Sequence, residues 1–506
     1  MDIRAQKLWQ RGLEHFNQGH MEAAQAHFES FLVRQPGSAP ARFRLSLLHA
    51  RRGRYLAAVA LAREAMALES PRIELLAHLA RCHLACGHLL SAREMATRAI
   101  AMGRDNAVIV DSLAVVMARL DEQAAALELF DQAIALEPTQ SSLYFNRALA
   151  LEQFGLIDAA QRDLEACLAR NPAHTKAHWT LARLRTQEAL HNHVPRLRAR
   201  LERSAQSPRD REMLQLALFK ELDDLGDAEG ACVVLRSSLA DRLPRERTQD
   251  DLTGELIRLF ANKLDPPSRA MSAAAAPIFI FGMPRSGVAL LGGVLARHFR
   301  IHALGSQPVF QLLLAEALGD DSLRAFDATQ LARSVTLDAL ELGRRYLSEV
   351  STSAAPAIVV CESHPMNFQL AGLIARALPD ARMLHLVRDP IDTCVSILAR
   401  PGGEGGLPQH DPAGLAACYL DYHRLLQHWH QTLPGRIMDV RYESLVEKPE
   451  MVLRVVCGFL GIGYSSALRM GLQLHQRSIG RGGRYVDQVP SLSAGLGALR
   501  LSSRSA

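Results

Sequence analysis

The stretch "PIFIFGMPRSGVALL", Pro277 to Leu291, places a guanidinium and a hydroxyl, Arg285 and Ser286, inside a frame closed by Gly282 and Gly287. An apolar run precedes that frame and another follows it, the pattern of a strand, a tight turn and a buried helix. Backbone amides at such a turn, together with the helix N-terminus, favour an anion. The chemistry this suggests is the holding of a phosphate-like group. Lys and Ser/Thr would complete a nucleoside-triphosphatase loop, but Val288 and Ala289 occupy those positions. Without the lysine and the magnesium-binding hydroxyl, ATP hydrolysis is not expected.

A second stretch, "MLHLVRDPIDTCVS", puts Arg388 at a strand end. Asp389 and Pro390 suit the cap and first turn of a helix, and Ser396 follows Arg388 by eight residues. An arginine and a serine converging there would grip a second, separate phosphate.

The two stretches together resemble the sulfotransferases. The resemblance implies that Gly282, Pro284, Arg285, Ser286, Gly287, Val288 and Ala289 form the loop around the 5′-phosphosulfate of 3′-phosphoadenosine 5′-phosphosulfate. It implies that Arg388 and Ser396 hold the 3′-phosphate, and that no metal is needed. "NFQLAGLIARALPDARMLHLVRDP" and "YHRLLQHWHQTLPGRIMDVRYESLVEKPE" extend the likeness to bacterial tetratricopeptide-repeat, protein-tyrosine-sulfotransferase-like members of the family. The expected reaction moves a sulfuryl group to an acceptor hydroxyl or amine, and Arg285 with the loop amides stabilises charge on the leaving oxygen.

Several positions depart from the family pattern. Its loop usually ends in G-T-T, where this chain has Val288 and Ala289. Its G-E-L base segment corresponds to "ALGSQPVF", with Ser306 and Gln307, and its D-K-M-P to Glu362-Ser363-His364-Pro365. A tyrosine and an Arg-Trp pair expected near the nucleotide align with "SLSAGLGAL". His364, before a proline as in cytosolic sulfotransferases, and Glu362 are both candidate bases. The alternative is a catalytically degenerate sulfotransferase-like domain on a protein-interaction scaffold.

The elements in front of these motifs repeat. Gly19, Gly53, Gly87 and Gly155 share a period of 34, and Asp121 fills the one open place in the series. Ala24, Ala58, Ala92, Ala126 and Ala160 follow five residues after each, and Pro36, Pro138 and Pro172 keep the same register. A glycine at the turn tolerates a left-handed backbone, and a small alanine lets the paired helices close up. This resembles the tetratricopeptide repeat, with five units over residues 5–172. Helices with a looser register, including Gly226 and Ala231, are expected to cap the solenoid as far as residue 243. The concave face suits a protein or peptide partner, or the repeats dimerise or brace the second domain. His174, His178, His191 and His193 read as solvated helix or loop residues.

The expected fold is thus an α-solenoid over 1–243, a linker over 244–276, and a P-loop-like three-layer α/β/α sulfotransferase domain over 277–506. "LDPPSRAMSAAAAP" carries the linker composition. "IFIF", "AIVVC", "RMLHLV" and "RIMDV" are the expected strands of a parallel sheet.

At 506 residues with 48% hydrophobic, 22% charged and 5% aromatic residues, the chain needs more than one core. A net charge of +5 is too mild to suggest nucleic acid. The eight cysteines form no C-x-x-C pair and are expected to be buried free thiols in a reducing compartment. The charged N-terminus lacks a signal-peptide core, and no apolar run nears about 18 residues. A cytoplasmic location is the expectation.

Overall fold

The computed structural model describes residues 3–203, 207–242, 252–262, 276–305, 307–320, 326–351, 359–401, 407–408, 411–469, 478–497 and 499. Contacts divide the chain into two compact units. One comprises Met1–Ala150, Pro308–Leu323 and Arg345–Ser351; the other comprises Leu151–Gln307, Arg324–Arg344 and Thr352–Ala506.

The first unit is built from antiparallel helix pairs: Ile3–Gln18 with Met21–Arg34, Ala39–Arg51 with Tyr55–Leu68, Ile73–Ala85 with Leu89–Met102, and Ala107–Arg119 with Gln123–Leu136. Each pair turns on one residue of the 34-residue series, at φ +80° for Gly19, +77° for Gly53, +79° for Gly87 and +63° for Asp121. The alanine five residues later is fully buried every time, through Ala24, Ala58, Ala92 and Ala126. The arithmetic of the series is thus a backbone requirement at the turn and a steric one at the helix crossing.

This unit also recruits residues from far along the chain. The Val309–Ala317 helix lies against the Gly87 turn, where a Cβ on Gly87 would stand 3.0 Å from that of Leu312. His88 Nε2 lies 2.9 Å from Glu316, which also binds Arg345 at 2.6 Å. Position along the chain therefore does not assign these residues to a unit, because the pairing carries no periodic signal.

The second unit begins with helices of the same kind. Gly155 (φ +76°) and Gly226 (φ +79°) continue the turn conformation, and Ala160 and Ala231 are buried as their counterparts are. Thr175–Leu184, Val194–Leu201, Pro208–Asp224 and Ala228–Ala240 follow. Of the four histidines expected to be solvated, His191 is exposed, whereas the side chains of His174, His178 and His193 take structural roles here. His174 Nδ1 accepts from the Ala177 amide at 3.1 Å, and buried His178 contacts the Pro172 carbonyl at 3.0 Å. His193 lies 2.7 Å from buried Glu221. His191 pairs through its backbone with Glu188.

Within the stretch expected to be linker, Leu252–Leu259 is helical, and Phe260 packs edge-on to Trp429 at 5.4 Å. Two buried apolar groups outweigh the local composition there. Residues 244–251 and 263–275 of that stretch lie outside the described residues.

Beyond it stand five parallel strands in the order β2-β3-β1-β4-β5: β1 Ile278–Gly282, β2 Ile301–Ala303, β3 Val359–Ser363, β4 Arg382–Val387 and β5 Ile437–Arg441. Alternate residues face opposite sides. Ile278, Ile280, Leu384 and Leu386 join Leu291, Leu295, Leu453 and Val456 from the Val288–Leu295 and Pro449–Leu460 helices in one core. On the other side His385 meets Phe281 and, from the Pro412–Thr432 helix, Tyr422. Helices thus cover both faces, as a buried parallel sheet requires. The edge strand β2 was not among the expected strands, since three residues, "IHA", are too short to show alternation. Among the described residues no helix is long and apolar enough to cross a membrane. All eight cysteines are free thiols, six of them buried.

Candidate functional site

After β1 the chain crosses to β2 on one side of it, and after β3 it crosses to β4 on the other, so the strand order reverses between β1 and β3. Open parallel sheets bind ligands at the carboxyl ends of the strands beside such a reversal. The Gly282–Gly287 loop leaves β1 there, and His364 leaves β3, its amide donating to the Ile280 carbonyl at 3.0 Å. Arg388 follows β4.

The loop is shaped by close approach. A Cβ on Gly282 would lie 2.6 Å from the Leu386 carbonyl oxygen, and one on Gly287 would lie 2.6 Å from the Tyr442 ring. Both glycines hold positive φ, and so does Arg285 at +73°, a conformation that costs a side-chain-bearing residue about 1–2 kcal/mol. Gly287 caps the Val288–Leu295 helix, whose first amides have no carbonyl within the helix to bind. Beside them Ser286 is buried, and its Oγ has no hydrogen-bond partner among the described residues. A buried hydroxyl of this kind is costly unless something accepts from it or donates to it.

Arg285 is exposed, and its Nε donates to Ser396 Oγ at 3.1 Å. Ser396 thus meets the loop arginine. Arg388 is buried and braces the surroundings: Nη1 donates to the Arg285 carbonyl at 2.9 Å, and Nη2 donates to the Ser478 carbonyl at 2.7 Å. Its guanidinium lies 4.6 Å from the centre of the Tyr442 ring, 3.9 Å from Asp392, and its Nε has no partner among the described residues.

Val288 packs into the hydrophobic core, whereas Ala289 is exposed at the helix start. Of these two positions, 289 is the one that opens to solvent. Glu362 is fully buried on β3 and accepts from Asn367 Nδ2 at 3.0 Å. His364 is partly exposed, and burial of its ring pushes the imidazole down to about 4. Gln307 is described and Ser306 is not.

Sequence reasoning missed two parts of the site. Tyr442, the first residue after β5, forms a wall under Gly287 and hydrogen-bonds Ser478 Oγ at 2.5 Å. The Ser478–Tyr485 segment, "SIGRGGRY", reaches the phosphate-motif helix: the Gly480 and Gly482 amides donate to Asp392 at 2.7 and 2.6 Å. The segment also carries Arg481, Arg484 and Tyr485, and it precedes "SLSAGLGAL" in the chain. The paired glycines flanked by arginines were the available signal. Among the described residues one group has metal-ligand geometry, His385, His430 and Asp439. Both imidazoles are already hydrogen-bonded to Asp439 Oδ1, at 2.8 and 2.9 Å.

Comparison with known proteins bears on the two kinds of architecture in the chain. The model of the sulfotransferase family matches residues 277–466, and tetratricopeptide-repeat models match residues 10–69 and 141–174. The protein-tyrosine sulfotransferase 2 of Gallus gallus is 25% identical over 238 residues, covering 42% of this chain and 59% of its own length. The protein-tyrosine sulfotransferase 1 of Danio rerio is 26% identical over 230 residues, covering 42% and 61%. An uncharacterized protein of Aquifex aeolicus is 27% identical over 231 residues, covering 42% and 28%. The match thus spans less than two thirds of each relative's length. Among solved structures, a tetratricopeptide-repeat protein of Thermus thermophilus aligns at 19% identity over 36% of this chain and 98% of its own, with a TM-score of 0.32. Superpositions that loose add nothing to the repeat assignment, which stands on the turn and crossing residues. Residues 277–466 are a sulfotransferase-family domain, joined in one chain to tetratricopeptide repeats.

Proposed function

We propose that the domain transfers a sulfuryl group from 3′-phosphoadenosine 5′-phosphosulfate to an acceptor hydroxyl, and that the repeats receive a protein or peptide partner. The observation carrying this reading is the buried, unpartnered Ser286 Oγ beside open helix amides at the carboxyl end of β1. These donors fit the phosphosulfate, and Arg285 with Ser396 fits a further anionic group of the same nucleotide. The nucleotide supplies the activated sulfuryl group.

The residues of the chain would bind, orient and move one proton. Ser286, Arg285 and the loop amides neutralise charge that grows on the phosphate oxygen as its bond to sulfur breaks. His364 is neutral at pH 7 and is the preferred acceptor of the hydroxyl proton, because Glu362 is closed off by burial. An imidazole lowered to about 4 is a weaker base than one poised near neutrality, although a bound anion beside it would raise it. The names of the tyrosine-directed relatives support a hydroxyl on a protein or peptide as acceptor.

The second reading, a degenerate domain on a scaffold, is favoured by Val288, which turns an apolar side chain into the core where the family carries a hydroxyl. Transfer from labelled donor to a hydroxyl library that includes tyrosine peptides separates the two. Wild type, His364→Ala and Ala289→Thr are compared; position 289 is chosen because its side chain is exposed. A loss of roughly 10²–10⁴-fold in the first variant and a gain in the second support catalysis. Nucleotide binding without transfer by wild type or by Ala289→Thr selects the scaffold.

A further inference from the structure

The Pro208–Asp224 helix belongs to the helical half that precedes the sulfotransferase-family residues, yet its penultimate residue is joined to the site. Asp223 is buried and takes hydrogen bonds or ion pairs from Tyr485 Oη, Arg481 Nε and Arg484 Nη1, the last at 3.2 Å. Tyr485 is fully buried, with its ring edge-on to Phe219 of the same helix at 5.2 Å. These three partners close the end of the Ser478–Tyr485 segment. Other groups of the segment touch the anion loop's supports. The Ser478 carbonyl accepts from Arg388, Ser478 Oγ bonds Tyr442, and the Gly480 and Gly482 amides bind Asp392. Gly482 packs so close that a Cβ there would lie 2.8 Å from the Asp392 backbone.

A second contact from the same half reaches the other end of the Pro390–Leu398 helix. Arg242, ion-paired with Glu212 at 2.9 Å, donates to the Leu398 carbonyl at 2.8 Å. The helix that carries Asp392 and Ser396 is therefore held at both ends by groups rooted outside residues 277–466.

We propose that Asp223 is a positioning residue for the nucleotide site, holding the Ser478–Tyr485 segment so that Arg388 and Asp392 keep the anion loop in its binding shape. The proposal rests on the nucleotide reading above. It gives the preceding helices a part in the site itself, distinct from any partner they bind. Asp223 touches no reacting atom; it acts through Tyr485 and the two arginines on a segment whose amides and carbonyl set the donors around the loop.

The test uses the full chain with Asp223→Asn, Tyr485→Phe and the double variant. Tyr485→Phe keeps the buried ring and removes only the hydroxyl, so the fold is retained if the asparagine variant proves unstable. Hydrogen exchange at the Gly480 and Gly482 amides, without nucleotide, should quicken by about tenfold in each variant. Calorimetric titration with 3′-phosphoadenosine 5′-phosphate should show affinity weakened by about five- to tenfold, with the double variant no worse than the poorer single one. Unchanged exchange, or faster exchange with wild-type affinity in both single variants, overturns the role of Asp223 and leaves the nucleotide reading standing. Failure of wild type to bind overturns the nucleotide reading, and with it any role for Asp223 at such a site.

Discussion

Arg388 Nη1 donates to the backbone carbonyl of Arg285 across 2.9 Å, so the arginine after β4 holds the turn that presents the arginine after β1. The turn residue sits at φ +73°, and its strain is offset by this contact and by the bond from Arg285 Nε to Ser396. Arg388→Ala should weaken binding of 3′-phosphoadenosine 5′-phosphate by about 1.5–3 kcal/mol, the scale of a charged hydrogen bond. Calorimetric titration measures it, and equal affinities would remove Arg388 from the site.

The repeat turns give a stability prediction. Asp121 alone carries a side chain at the left-handed position that glycine fills elsewhere in the series. Asp121→Val should lower stability by about 1–2 kcal/mol, since a branched side chain is crowded there, and Asp121→Gly should not. Thermal unfolding of the two variants side by side decides it; a valine variant as stable as the glycine one would contradict the backbone argument.

If His364 takes the acceptor proton, the acid limb of kcat/KM for the free protein should fall near pH 4, where burial has placed its imidazole, and not near the ordinary 6.5. The neutral form is the active one, so activity is lost on going down through that value. A pH–rate profile whose acid limb stays near 6.5 would assign the proton to another group.

His385, Asp439 and His430 make a stability prediction of opposite sense at its two ends. Burial, the largest single effect, pushes Asp439 up from 3.8, but the bonds from His385 and His430 together outweigh it and leave it depressed. The bond to Asp439 raises His430 from 6.5 against the smaller effect of burial. A raised histidine stabilises below its unfolded value and loses that contribution as pH climbs through its folded one. A depressed aspartate stabilises above its unfolded value and loses that contribution as pH falls through its folded one. The destabilisation caused by His430→Gln should therefore be greatest between 3.8 and 6.5 and shrink on either side. Chemical denaturation across pH tests this, and a pH-independent difference would deny the ion pair.

The domain boundary remains a proposal, with 264–277 as the preferred site of limited proteolysis. A nick there should not separate the pieces. The unit containing residues 1–150 also contains 308–323, and Asp223 and Tyr485 share the other unit. Gel filtration of nicked protein should show one species; two eluting apart would contradict these contacts.

By itself the sequence determined whatever depends on local spacing. The period of 34 fixed the helix pairs because a turn needs a positive φ and a crossing needs a small residue, and both recur in register at Gly53 and Ala58 or at Asp121 and Ala126. The turn from Gly282 to Gly287 after β1 and the place of Arg388 after β4 were legible because a strand, a turn and a helix are written in consecutive residues. Tertiary structure alone decided which groups meet. It joined Ser396 to Arg285, buried Glu362 against Asn367, turned Val288 inward and Ala289 outward, and brought Ser478, Tyr442 and Asp223 to the site. Those pairings span tens to hundreds of residues, and a contact at that separation depends on how whole elements pack, which no pattern in one chain's neighbouring residues records.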